Sequence, residues 1–122
     1  MSRPVGPYSP FLRAGDWVVT SGQVGIVTGD HGPELVPGGT EAELRQALAN
    51  VASVLAEAGA EMSDVVTATL YLVDMADYRV ANEVWIEAFG DHRPARTAVA
   101  VASLPIGARA EVAVFAYVGE RA

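Results

Sequence analysis

Arg93-Pro94-Ala95-Arg96-Thr97-Ala98-Val99-Ala100-Val101-Ala102, then Ser103-Leu104-Pro105-Ile106-Gly107-Ala108, then Arg109-Ala110-Glu111-Val112-Ala113-Val114-Phe115-Ala116-Tyr117-Val118 is the stretch on which the fold turns. Apolar and β-branched residues fill both flanks, and Pro and Gly punctuate the middle, so the pattern predicts two strands joined by a turn. Two charges interrupt it. Arg96 stands at the mouth of the first strand. Glu111 lies inside the second, on the face shared by Ala113 and Phe115, because side chains alternate along a strand. A carboxylate among buried apolar neighbours is costly unless it is paired or put to use.

Working outward, the segment before this pair predicts a helix. Asp74 is a capping residue and Asp77 sits at the favourable N-terminal end. Tyr78, Ala81, Trp85, Ala88 and Phe89 share one face, and Gly90 ends the helix. Upstream, Val65-Val66-Thr67-Ala68-Thr69-Leu70-Tyr71-Leu72-Val73 is uncharged and β-branched, as a buried central strand is. Thr40-x-x-Glu43 has the capping-box pattern at the start of an earlier helix. Its face is Leu44, Ala47, Leu48, Val51, Leu55 and Ala58, and Gly59 is the natural stop.

The first forty residues are punctuated more heavily. Gly6-Pro7-Tyr8-Ser9-Pro10 is a turn, since proline has no N–H for a central strand. Phe11-Leu12-Arg13 predicts a short edge strand, with a turn at Ala14-Gly15-Asp16. Trp17-Val18-Val19-Thr20-Ser21 predicts a strand that Gly22-Gln23-Val24-Gly25-Ile26 continues through a bulge or a close backbone approach. Gly29 to Gly39 reads as a loop, with Glu34-Leu35-Val36 as a small strand. The order is strands, helix, strand, helix, strand, strand. It predicts one α/β sandwich domain over residues 1–122, with two helices on one face of a mixed sheet. The other face, expected to be rich in Ala and Val, has no helix to cover it and calls for an oligomer.

Composition excludes several functions. The net charge is −7, which argues against a nucleic-acid partner. There is no cysteine, hence no disulfide, thiolate nucleophile or cysteine metal site. Neither the N-terminus nor any later stretch carries a signal-peptide or membrane-spanning run, so a cytoplasmic location with no membrane partner is expected. Gly22, Gly25 and Gly29 lack the strand-turn-helix context of a phosphate cradle. His31 and His92 share no ligand spacing with carboxylates, no metal site is expected, and His92 reads as a solvated loop residue. Ser21 has no relay of His and Asp, and a hydrogen-bonding hydroxyl is its simpler role.

Two readings of Arg96 and Glu111 stand side by side. One is a structural ion pair across adjacent antiparallel strands. The other is a site: Arg grips a carboxylate through its planar fork, and a desolvated Glu positions or deprotonates a water. That pair suits a small carboxylate-bearing substrate that reacts with water. Tyr8 is a surface aromatic or a pocket wall, and Asn82 a capping or surface amide.

With Gly6-Pro7-Tyr8, Thr20-Ser21-Gly22-Gln23, Asn50, Asn82, Pro94-Ala95-Arg96-Thr97, Leu104-Pro105 and Glu111-Val112 in this order, the chain resembles the YjgF/RidA family of enamine/imine deaminases over nearly its whole length. The resemblance implies a chorismate-mutase-like fold and a homotrimer with ligand clefts between subunits. It implies cofactor-free hydrolysis of 2-enamino and 2-imino acids to 2-oxo acids and ammonia. Arg96 would hold the substrate carboxylate and Glu111 the attacking water. Tyr8 and Ser21 would line the cleft, and Asn82 would help hold it together. Ala98 replaces a cysteine common in the family, which bears on pocket shape, and the short loop from Gly90 to Arg93 is expected to widen the cleft. A non-catalytic trimer that binds a small carboxylate, or a deaminase for a ring-derived amino acid in a catabolic sequence, would use the same residues.

Overall fold

Alternation along the last strand sorts the molecule into layers. In β8 (Ala110–Tyr117), Ala110, Val112, Val114 and Ala116 are fully buried, while Glu111, Ala113, Phe115 and Tyr117 face the other way and are partly or largely exposed. The structure, a computed structural model, describes residues 4–119. Met1, Ser2 and Arg3 of the N-terminal stretch, and residues 120–122 of the expected domain, lie outside the described residues.

Before β8 come β1 (Phe11–Ala14), β2 (Trp17–Thr20), β3 (Gln23–Val24), β4 (Ile26–Gly29), β5 (Gly32–Leu35), α1 (Gly39–Glu57), β6 (Val65–Leu72), α2 (Tyr78–Phe89) and β7 (Ala95–Ala100). The main sheet runs β1-β2-β8-β6-β7, with β3 also pairing with β8. Among the described strands only β6 and β7 pair in parallel, and α2 makes the crossover such a pair requires. Both helices lie on one face, as the sequence predicts. Leu44, Leu48, Val51 and Leu55 of α1 and Ala81, Val84, Trp85 and Phe89 of α2 meet the buried strand residues in one core. Each fully buried leucine there contributes on the order of 2 kcal/mol.

Two expectations about the strands are corrected. β7 and β8 are consecutive but not neighbours, because β6 lies between them. The stretch from Gly29 to Gly39 is not all loop. β4 and β5 form a hairpin with Thr28 opposite Pro33, a position an edge hairpin tolerates. The hairpin packs Ile26 and Leu35 into a second small cluster with Val24, Leu104 and Ala108. The open face of the sheet carries Ala14, Val19, Ala95, Val99 and Ala113, in line with the expectation, but not these alone. Register also puts Leu12, Trp17, Thr67, Thr69, Tyr71, Phe115 and Tyr117 on it. Trp17 and Tyr117 stack edge to face at 5.2 Å.

The capping box does not form. No side chain caps α1, which follows Gly38 in a left-handed conformation. Thr40 and Glu43 work at longer range. Thr40 Oγ1 donates to Asp77 Oδ2 at 2.6 Å and accepts from Arg109 Nε at 3.0 Å. Glu43 Oε1 accepts from the Arg109 backbone N–H at 2.8 Å. The start of both helices is thereby tied to the start of β8. The C-terminus of α1 behaves as expected: Gly59 is left-handed at φ +82°, and the Ala60 N–H donates to the Leu55 carbonyl at 2.8 Å. Asp74 caps a short 3-10 turn, Met75–Asp77, that runs into α2. Among the described residues, no helix is long and apolar enough to cross a membrane.

Candidate active site

The first cluster grows from a bulge. Val19 pairs with Phe115 and Gln23 with Val112, so the β2–β3 side carries one residue more than β8 between those pairs. Thr20 fills the gap in the ladder, its Oγ1 accepting from the Val114 N–H at 3.1 Å. Ser21 holds the N-terminal segment: its hydroxyl donates to the Ser9 carbonyl at 2.6 Å and its N–H to the Pro10 carbonyl at 3.0 Å. That segment presents Tyr8, whose hydroxyl accepts from the Val5 N–H at 3.3 Å. Gly22 lets the Glu111 carboxylate come against the backbone, since a Cβ there would stand 2.1 Å from Glu111 Oε2. Tyr8, Gly22, Gln23, Pro105 and Glu111 enclose a cavity of about 20 Å³, which suits a single water.

Burial alone raises the Glu111 pKa above its ordinary value. No hydrogen bond or ion pair from a described residue reaches the carboxylate. A carboxylate so placed is a better base than an exposed one, and no cation among the described residues quenches it.

The second cluster lies under α2. Tyr78, Asn82 and Trp85 are spaced four and three residues apart and so share one helix face. That face covers Arg96 of β7. Arg96 Nη2 donates to Asn82 Oδ1 at 2.8 Å and to the Tyr78 hydroxyl at 3.0 Å. The guanidinium carbon stands 4.9 Å from the Trp85 ring centroid and 5.4 Å from that of Tyr78. Such ring faces attract a cation and fix its orientation. Asn82, Trp85, Ile86, Arg93, Pro94 and Arg96 line a groove of about 240 Å³.

One chain does not bring the two clusters together. On β6, Ala68 is opposite Arg96 and Tyr71 opposite Glu111. Those partners are three positions apart, an odd offset, so Arg96 faces the helices and Glu111 the open side. The ion pair across adjacent strands is therefore overturned. Glu111 is not set among the buried residues of the covered face, where local alternation cannot say which face is covered. Asn82 is neither cap nor surface amide but the acceptor that holds Arg96. Ser21 is turned to the chain that carries Tyr8. His92 is no solvated residue, its Nε2 lying 2.7 Å from the Val65 carbonyl oxygen. Ala98 faces the core two residues beyond Arg96. Sequence reasoning counted Tyr78 and Trp85 only as an apolar helix face, and it passed over Arg93. The spacing of Tyr78, Asn82 and Trp85, set against an arginine on the next strand, was the available signal.

Comparison with known proteins gives this geometry a context. The family described as Endoribonuclease L-PSP matches residues 1–118. A RutC family protein of Pyrococcus horikoshii is 40% identical over 117 residues, covering 94% of this chain and 90% of that protein. The 2-iminobutanoate/2-iminopropanoate deaminase of Mus musculus is 39% identical over 115 residues, covering 94% of this chain and 84% of the relative. The crystal structure of RidA from an Antarctic Psychrobacter superposes with a TM-score of 0.88 at 34% identity, covering 95% of this chain and 92% of that one.

Proposed function

The chain belongs to the endoribonuclease L-PSP family, the YjgF/RidA family that its motifs resemble, and from that premise we propose that it is a deaminase of reactive 2-enamino and 2-imino acids. It acts as one domain over residues 1–122, hydrolysing these compounds to 2-oxo acids and ammonia in the cytoplasm without a cofactor. The observation that carries this reading is Glu111, a desolvated carboxylate with no cation beside it among the described residues, at a cavity the size of one water. The family description names an endoribonuclease. A chain with 15 acidic and 8 basic side chains is poorly suited to a polyphosphate backbone.

The chemistry divides between the two clusters. Arg96, oriented by Asn82, Tyr78 and Trp85, grips the substrate carboxylate with the N–H groups those partners leave over. The substrate reacts as its protonated imine, and Glu111 takes a proton from the water as the water oxygen attacks the C=N carbon. The tetrahedral adduct carries a hydroxyl and an amine on that carbon. The proton held by Glu111 then passes to the amine nitrogen, the C–N bond breaks as the hydroxyl gives its own proton back to Glu111, ammonia leaves and the C=O of the 2-oxo acid forms. Because Arg96 and Glu111 face opposite sides of their own sheet, a complete cleft takes Arg96 from one copy and Glu111, Tyr8 and the Ser21–Gly22 bulge from another. A homotrimer closed over the aromatic open face supplies that arrangement.

A second reading keeps the trimer and the carboxylate site but not the turnover. Arg96 with its three supports needs nothing from Glu111 in order to bind, which favours a binding protein. The test is 2-oxo acid release from 2-imino acids made in situ by an amino-acid oxidase. Acceleration should vanish in Arg96→Ala with the fold intact. In Glu111→Gln it should fall by about a hundredfold or more with carboxylate affinity unchanged. Turnover by Arg96→Ala at the wild-type rate sinks the assignment. Binding with no acceleration over small, aliphatic and aromatic imino acids leaves the binding protein.

A further inference from the structure

Arg96 is not the only cation in its groove. Arg93, three residues earlier, lines the same 240 Å³ space with Asn82, Trp85, Ile86 and Pro94, and no carboxylate is among the lining residues. Elsewhere among the described residues, Arg45 pairs with Glu41 and Glu87 and Arg109 with Asp77, while Arg13 donates to the Ala58 carbonyl at the end of α1. Neither Arg93 nor Arg96 pairs with a described carboxylate. Two guanidinium groups in one groove repel each other, and a shared anion relieves that repulsion.

Arg93 has a structural task, but it leaves capacity over. Its Nη1 donates to the Gly90 carbonyl at the end of α2, a contact that suits a cation at a helix C-terminus. A guanidinium carries five N–H donors, so this bond leaves the outer edge of the fork unused. The same groove is lined by apolar surface, the edge of the buried Trp85 and the half-exposed Ile86. A groove of about 240 Å³ falls just below the usual span of small-molecule pockets, which limits the ligand to a few heavy atoms.

We propose that Arg93 is a second anion subsite of this cleft, so that the preferred substrate is a short 2-imino acid bearing another carboxylate on its side chain. Arg96 takes the carboxylate next to the C=N carbon, Ile86 and Trp85 take the methylenes, and Arg93 takes the distal carboxylate. This rests on the deaminase reading of Arg96, and it names Arg93 as the residue that sets substrate preference.

The test uses the 2-oxo acid products, so that it does not depend on turnover. Calorimetry would compare 2-oxoglutarate with 2-oxobutanoate on the intact protein and on Arg93→Gln, which keeps a donor for the Gly90 carbonyl. Wild type should bind the dicarboxylate at least tenfold more tightly. Arg93→Gln should bring the ratio near one by weakening only the dicarboxylate. Equal affinities in wild type, or a ratio that survives Arg93→Gln, overturn the subsite while leaving the carboxylate role of Arg96 standing. If neither ligand binds at millimolar concentration, the carboxylate site falls and the subsite with it. A stability loss in Arg93→Gln with the ratio kept would reduce Arg93 to a helix cap.

Discussion

At the scale of single residues, Glu111 and Gly22 make one device. Burial lifts the Glu111 carboxyl above its ordinary value of 4.5. As pH rises, the unfolded chain releases this proton first, and the folded chain keeps it until the raised value is passed. The stability contributed by the neutral form is therefore complete below the ordinary value and lost as pH climbs through the folded one. Glu111→Gln, which mimics the neutral form, should raise the thermal midpoint near pH 7 and match wild type near pH 4. A midpoint lowered near pH 7 would mean that a cation holds the carboxylate after all. Gly22 is the complementary probe. Alanine there meets only the far end of the Glu111 side chain, which can rotate away. Gly22→Ala should fold with a midpoint close to wild type but lose kcat by about tenfold or more as the base is displaced. Unchanged kcat would show that the carboxylate does not act from this position.

At the scale of elements, what was legible in the sequence follows from how locally each element is determined. The face of α1, the stop at Gly59, the central β6 and the bulge after β2 are written in neighbouring residues and stand as expected, whereas the core face of α2 takes in Val84 and leaves Tyr78 exposed. The position of β7 is not. Parallel pairing with β6 depends on the crossover through α2, and no local pattern tells β7 that β8 has gone to the far side of β6. Both charged site residues were legible, yet their facing was not, because one strand's place decides it. The Thr40-x-x-Glu43 pattern misled for the same reason, its side chains being claimed by Arg109 and Asp77. Asn50, named only through resemblance, has an elemental role. Its Nδ2 donates to the carbonyls of Val24 and Ile26, both at 3.0 Å, and so ties α1 to the turn between β3 and β4. Gly25 in that turn lies against the Glu43 backbone with no room for a Cβ. Asn50→Ala leaves two buried carbonyls unsatisfied and should cost ~2–4 kcal/mol by denaturant unfolding at fixed protein concentration. A cost below ~1 kcal/mol would mean that water or a shifted turn replaces the amide.

At the scale of the whole molecule, the open face of the sheet decides whether a cleft exists. Leu12, Trp17, Phe115 and Tyr117 are exposed on it, while the helices shield the other side. Isolated exposed apolar side chains are ordinary, but a contiguous set across three strands of one sheet marks an interaction surface. The homotrimer proposed above would bury the set and bring the edge carrying Arg96 of one copy near the bulge and Glu111 of the next. Phe115→Lys puts a charge in the middle of that face, opposite Thr67 on β6, without touching the helix-covered core. Wild type should sediment at three times the 12.8 kDa chain mass. The variant should sediment as a monomer that keeps its helical circular dichroism and loses deaminase activity. It should still bind a 2-oxo monocarboxylate weakly through Arg96, because Asn82, Tyr78 and Trp85 all belong to the same copy. A monomeric variant with full activity would place the whole reaction within one chain, against the opposite facing of Arg96 and Glu111. A trimeric variant would move the subunit contact off the open face, and the cleft would then have to be sought along the edges of β1 and β7.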